Sequence, residues 1–299
     1  MSKIAVIGSL NMDYIIETNT FPEVGETVLG SHLMMTPGGK GGNQAVAASR
    51  LGGDVSIFGS VGDDSNGSIL KEIMTKEKVD ISYLQELEDG VTGVAFIEVS
   101  NSNNRIIVIP GTNRMTNKSY IQSVEKCLEK FDVFIFQFET PLAVIEYLLP
   151  TLYRLGKKTI VNPAPALKLD EKLIEMITYL TPNEHEVYKV LDSNKSIDVL
   201  LRKYPEKLIV TMGASGVAYS DGKETILVPS MEIIPVDSTG AGDTFTGAFS
   251  VAIAEGKDLY NAIHFANKAA GLSIMKPGAQ AGMPFREELE KFVTKEGIK

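Results

Sequence analysis

The chain has 299 residues, enough for one large or two modest domains, and its 43% hydrophobic and 22% charged content supports a sizeable core and excludes wholesale disorder. With 29 Lys and Arg against 38 Asp and Glu the net charge is −9, which excludes a general nucleic-acid binder because such proteins need a basic surface. One cysteine, Cys127, and three histidines, with no HExxH pattern, exclude an internal disulfide framework, a multi-thiolate metal centre and a zinc hydrolase of that type.

The apolar run inside Met1–Gly8 is too short for a signal-peptide core. No window approaches the roughly 18 apolar residues of a membrane span. A cytoplasmic protein is expected. The runs Ile4–Gly8, Val55–Val61, Val133–Phe138, Thr159–Asn162 and Leu208–Met212 are apolar on both faces, as strands are when helices cover both sides of a parallel sheet. Helical patterns fill the gaps at Gly42–Leu51, Asn66–Lys78 and Pro141–Leu155. The last has Thr140 as predicted N-cap, Pro141 at the first helical position and Gly156 as its stop. This alternation predicts an α/β fold, a doubly wound, mostly parallel sheet flanked by helices.

Two stretches break the alternation, roughly 13–36 and 91–110. The first holds short candidate strands at Tyr14–Glu17 and Glu26–Gly30; the second reads as a hairpin, Val94–Val99, a Ser100–Asn104 turn, then Arg105–Ile109. Polar–apolar alternation suits strands with one wet face, so both are expected in a small β-sheet lid inserted into a single domain. Met34 and Met35 are expected to pack within it. The C-terminal part reads as helices Ala241–Glu255, Leu259–Met275 and Phe285–Thr294, punctuated by Gly256 and Pro277-Gly278. Cys127 is expected to be a buried small hydrophobe, and His32, His185 and His264 to have no catalytic part.

Two motifs carry chemistry. In Pro37-Gly38-Gly39-Lys40-Gly41-Gly42-Asn43-Gln44-Ala45, four glycines surround a lysine and lead into a helix. Glycines allow close backbone approach to a ligand, and free N–H groups at a helix start favour polar or anionic oxygens. A plain turn has no use for the lysine. The loop is not a P-loop, since Gly41 follows Gly39-Lys40 where Ser or Thr is required, and no GxGxxG follows the first strand. In Asp237-Ser238-Thr239-Gly240-Ala241-Gly242-Asp243, the residues Gly240, Ala241 and Gly242 turn successive N–H groups toward one point at the start of an apolar helix. Asp243 sits in that helix's first turn, where the dipole favours negative charge. An amide cradle beside a carboxylate base is what phosphoryl transfer to a hydroxyl requires. Helix capping accounts for one acid, but not for two acids bracketing Gly-Ala-Gly.

With Gly8-Ser9-Leu10-Asn11-Met12-Asp13 at the start, these motifs and their order resemble the ribokinase family of carbohydrate kinases over nearly the whole chain. The resemblance implies Asp243 as catalytic base, Gly240, Ala241 and Gly242 as anion hole, and a sugar site of Asn11, Asp13, Gly39, Lys40, Gly41, Gly42, Asn43 and Glu139. It implies ATP and Mg2+ as cofactors, with Asn183 and Glu186 positioning Mg2+ and phosphate through water. Thr211, Gly213, Ser215, Gly216, Gly242 and Asn267 would contact the nucleotide. A monovalent cation activator, K+, would lie among Asp237, Thr239, Ser273, Lys276, Gly278 and Gly282. Gly282 departs from the family, where a side-chain hydroxyl is common. The implied reaction is phosphorylation of D-ribose at O5 by a homodimer paired through its lid sheets, with no nucleic acid or membrane partner. Deoxyribose, fructose or a nucleoside is the alternative acceptor, and a sugar or nucleotide sensor the non-enzymatic one.

Overall fold

The computed structural model describes residues 2–101 and 103–296. Strand β1 (Lys3–Ile7) sends Ile4 and Val6 into a core on one face of the sheet and Ala5 and Ile7 into a core on the other. Burial on both faces is why the run reads apolar throughout. The chain then leaves the sheet as β2 (Asn11–Thr18) and β3 (Gly30–Gly38), an antiparallel pair, and returns through α1 (Lys40–Arg50) to β4 (Asp54–Gly62). Helix α2 (Ser65–Lys76), N-capped by the Asp64 side chain, leads to β5 (Leu84–Leu87). Strands β6 (Gly93–Ser100) and β7 (Asn103–Ile109) complete the lid, whose order is β3-β2-β6-β7.

Next come α3 (Lys118–Leu128), β8 (Val133–Phe136), α4 (Ala143–Arg154), β9 (Lys158–Val161), α5 (Glu171–Met176) and β10 (Tyr179–Leu180). The six-stranded sheet runs β10-β9-β8-β1-β4-β5, parallel at every pairing, as the sequence predicts. Short helices α6 (Glu186–Val190) and α7 (Ile197–Lys203) lead to β11 (Ile209–Thr211), β12 (Val217–Ser220) and β13 (Thr225–Val228). These three form a separate antiparallel sheet, so the predicted strand at Leu208–Met212 joins the main sheet at the isolated bridge Leu180–Leu208, with Asn183–Thr211 just beyond it. Helices α8 (Ala241–Ala254), α9 (Leu259–Ser273), α10 (Ala279–Gly282) and α11 (Arg286–Glu296) close the chain. Among the described residues no helix is long and apolar enough to cross a membrane.

Several local expectations are corrected. Thr140 does not cap α4; a backbone bond from Val144 N to Pro141 O closes the first turn instead, and the helix starts at Ala143. The Glu26–Gly30 strand is absent because Glu23 and Glu26 bond each other in a tight turn. The strand pairing with β2 is β3, hidden in the sequence by Pro37, which an edge strand tolerates. The lid hairpin turns more tightly than Ser100–Asn104 suggests, since Ser100 pairs with Asn103. Met34 and Met35 are exposed on the lid rather than packed. Cys127 is only half-buried.

Candidate active site

The glycine loop brings α1 hard against the end of β1. A Cβ on Gly41 would stand 2.5 Å from Ser9 N, and one on Gly39, whose φ is +82°, 2.7 Å from Asn11 N. This closeness corrects one expectation. The first amides of α1 are not free: Lys40 N donates to Glu139 Oε2 at 3.0 Å, Gly41 N to Ser9 Oγ at 3.3 Å and Gly42 N to Ser9 O at 2.8 Å. The Lys40, Gly41 and Gly42 amides therefore bond protein atoms in this structure. Ser9 Oγ also donates to Glu139 Oε2 at 2.5 Å, so Glu139 is held from two sides.

Asp13 lies on β2 over the bare Cα of Gly38, where a Cβ would be 2.2 Å from its Oδ2. Burial, and then the negative charges of Glu139 and Asp243, push its carboxyl up to about 7. The half-buried Lys40 ammonium feels the opposite balance. Burial alone lowers its proton affinity, but Asp243, Glu139 and Glu186 outweigh burial and raise it. Four acids, Asp13, Glu139, Asp243 and Glu186, thus lie near one ammonium, that of Lys40. Carboxylates are pure acceptors, the complement of a polyol's hydroxyl donors. Asn11 is fixed beside them by Asn113, whose Nδ2 donates to Asn11 Oδ1 at 2.7 Å while its Oδ1 accepts from Leu10 N. A Cβ on Gly93 would collide with both carboxamides, at 2.3 Å.

Asp243 is buried in the first turn of α8. Gly240, with φ +77°, starts that helix without a side-chain cap, and Gly242 is exposed with nothing within 4 Å of where a Cβ would be. Backbone approach is therefore open at Gly242, as binding of an anion at a helix start requires, while Ala241 N bonds Ser238 O at 3.2 Å. Asp243 Oδ1 accepts from Gln44 Nε2 and Oδ2 from Asn43 Nδ2, each at 2.9 Å. Helix α1 comes near enough because of Gly247, where a Cβ would be 2.7 Å from both Ala47 Cβ and Gln44 O.

A cleft of about 220 Å3 joins Asp243, Lys40 and the Gly240–Gly242 turn to Asn183, Glu186 and Thr211. Asn183 and Glu186 form a reciprocal cap on α6: Asn183 Oδ1 accepts from Glu186 N at 2.8 Å, and Glu186 Oε2 from Asn183 N at 2.9 Å. Capping is thus a real part of their role, and it also turns Glu186 toward the cleft. Gly213 and Ser215 lie in an exposed turn after β11. Two expected nucleotide contacts stand apart from the cleft. Gly216 has φ +99° and would clash with Val228 O, so its place is set by the β12–β13 junction. Asn267 Nδ2 donates to Val228 O and Pro229 O.

The pfkB family carbohydrate kinase model matches residues 1–286. The chain belongs to the pfkB family of carbohydrate kinases. It is 42% identical over 294 residues to the ribokinase of Bacillus subtilis, covering 98% of this chain and all of that one. The crystal structure of a ribokinase from Thermotoga maritima, 32% identical, superposes with a TM-score of 0.90 over 98% of this chain and all of that one. That of Arabidopsis thaliana ribokinase complexed with ribose and ATP, 26% identical, has a TM-score of 0.87 over 98% of each chain.

The residues of this pfkB kinase fit the two implied cations. Asn183 and Glu186 line the cleft with Lys40 and Asp243 and present oxygen-bearing side chains there, a donor set that suits Mg2+ held mainly through water. Around the expected K+ position, Asp237 Oδ1 accepts from Thr239 N and Oδ2 from Gly278 N, tying two loops together. The hydrogen bonds at Asp237 outweigh burial and hold its carboxyl below the usual range. A Cβ on Gly282 would be 2.2 Å from Ser273 O and 3.4 Å from Lys276 O. Main-chain oxygens thus crowd Gly282, and an oxygen donor set suits a hard cation. Lys276 points its amine away, to Glu288.

Sequence reading missed Ser9, Gln44, Asn113, Gln137 and Asn162. The Gln44 signal was present in the NQA of the first motif and the Ser9 signal in Gly8-Ser9-Leu10-Asn11; the other three carry no local pattern.

Proposed function

We propose that this chain is an ATP-dependent ribokinase that phosphorylates D-ribose at O5, giving ribose 5-phosphate and ADP. The observation that carries the reading is the position of Asp243. It faces the acid-and-lysine cluster on one side and the uncapped start of α8 on the other. Full-length similarity to ribokinases supports ribose as acceptor.

In this reading Asp13, Glu139 and Asn11 bind the ribose hydroxyls. Asp243 takes the proton of the 5-hydroxyl, O5 bonds to the γ-phosphorus, and the bond to the β–γ bridging oxygen breaks to release ADP. The Gly240, Ala241 and Gly242 amides take charge on the transferring oxygens, and Lys40 lies within reach of the same group. Bound Mg2+ supplies neutralising charge to the ATP phosphates, with Asn183 and Glu186 holding it through water. Asp237 with the carbonyls of Ser273 and Lys276 would hold K+, and Gly282, packed against those two carbonyls, brings them to one side of the site. Lid closure keeps water from accepting the phosphoryl group. Exposed Leu33, Ile106 and Ile107 support pairing of two lid sheets in a homodimer. We place the reaction in the cytoplasm, where ATP is supplied and a lone thiol stays reduced.

A substrate panel tests the reading. With ATP and Mg2+, kcat/KM is expected to be highest for ribose among ribose, deoxyribose, fructose and adenosine. A tenfold preference for another acceptor would transfer the assignment to that acceptor.

A further inference from the structure

Both oxygens of Asp243 already accept an amide hydrogen bond, and behind one of them stands a chain of buried carboxamides. Gln44 is fully buried. A carboxylate only accepts, so Gln44 must turn Nε2 toward Asp243 Oδ1, 2.9 Å away. Its Oε1 then faces the other way and accepts from Gln137 Nε2 at 2.7 Å. Gln137 in turn points its Oε1 at the Cα of Gly8, where a Cβ would stand 2.1 Å away; among the described residues that buried oxygen has no donor. A buried acceptor without a donor is costly. Reversing Gln137 would relieve it only by setting oxygen against Gln44 Oε1. The second hydrogen of Gln44 Nε2 goes to Asn162 Oδ1 at 3.2 Å, and Asn162 Nδ2 is fixed by Thr181 O at 3.2 Å.

The orientation of every amide in this chain follows from the charge on Asp243, and the one unmet bond falls at the far end. That is the pattern of a network built to serve its first member. We propose that Gln44, held by Gln137 and Asn162, is the positioning residue of Asp243. It fixes the rotation of the carboxylate so that the lone pairs left over by Gln44 and Asn43 face the acceptor hydroxyl. The proposal rests on the reading of Asp243 as base. Gln44 touches neither sugar nor nucleotide in this account; it acts through the carboxylate.

The test compares wild type with Gln44→Met, Gln137→Met, the double variant and Asp243→Asn, reading kcat, both KM values, the pH profile and the melting temperature. Methionine keeps the length and removes the donor. Misplacing a proton-accepting group costs on the order of tenfold to a hundredfold in rate, so Gln44→Met is expected to lower kcat by about that much and to change either KM by less than about threefold. Loss of a donor raises a carboxylate's proton affinity, so the acid limb of the profile is expected to move to higher pH. Gln137→Met is expected to show the same effects weakly, and the double variant to be no worse than Gln44→Met, because the two act in series. Wild-type kcat and pH profile in Gln44→Met would overturn the proposal. Losses that add in the double variant, with lower melting temperatures and an unmoved acid limb, would also overturn it, since packing alone does that. If Gln44→Met does not fold, the acid limb of Gln137→Met decides: movement supports the proposal and no movement overturns it. Near-normal turnover in Asp243→Asn removes the base itself, whereas an inactive Asp243→Asn beside a normal Gln44→Met removes only the positioning role.

Discussion

Asp13→Asn exposes the electrostatic cost of the sugar cluster. The wild-type carboxyl is pushed from the ordinary 3.8 up to about 7 by burial and by Glu139 and Asp243. A rise of about 3 pH units, at about 1.4 kcal/mol each, amounts to about 4 kcal/mol. Water in the open cleft screens part of this, leaving about 2 kcal/mol. The sign follows from the folded carboxyl binding its proton more tightly than the unfolded one. Below about pH 4 both states are protonated and the group costs nothing. Stability then falls as pH rises toward 7 and stays reduced above it. Asparagine keeps the shape without the charge. In thermal unfolding without ligands, Asp13→Asn is expected to melt about 4 °C above wild type at pH 8, with the gap closing by pH 4.5. Sugar affinity is lost at the same time, because an acceptor for a hydroxyl is gone. A variant that melts below wild type at pH 8, or by the same difference at every pH, would refute the argument that charge crowding raises this carboxyl.

Three further outcomes are expected. Gly247→Ala adds a methyl 2.7 Å from Ala47 Cβ and Gln44 O; it should destabilise the fold by about 1–3 kcal/mol and lower kcat more than it raises KM, because α1 carries the amides that hold Asp243. Calorimetry and steady-state kinetics check this, and unchanged values would mean the helices give way freely. Replacing K+ by Na+ should lower kcat severalfold, with equal rates showing that main-chain oxygens around Gly282 form no selective site. Ile107→Lys places charge on the exposed lid strand and should convert a dimer to a monomer by light scattering, whereas an unchanged mass would move the interface elsewhere.

The sequence disclosed the parallel sheet because strands buried on both faces, such as β1 and β4, show it at every residue. It disclosed both glycine motifs because close approach demands glycine in a fixed local order. It did not disclose β3, whose Pro37 argues against a strand until its place at a sheet edge is known. Nor did it show that Glu139 accepts from the first amide of α1, a contact across 99 residues for which no local pattern exists. Asn267, expected at the nucleotide, also donates to the carbonyls of Val228 and Pro229, bonds across nearly 40 residues for which no local pattern exists. Gln44 lay within a motif already singled out and was passed over, because its partner Asp243 is 199 residues away.

The most direct measurement is ribose-dependent ADP release by wild type and Asp243→Asn side by side, with ribose and ATP binding followed in both. The account predicts ribose 5-phosphate from the wild type, and from the variant intact binding with kcat lower by about three decades. Turnover in the variant within tenfold of wild type would contradict it.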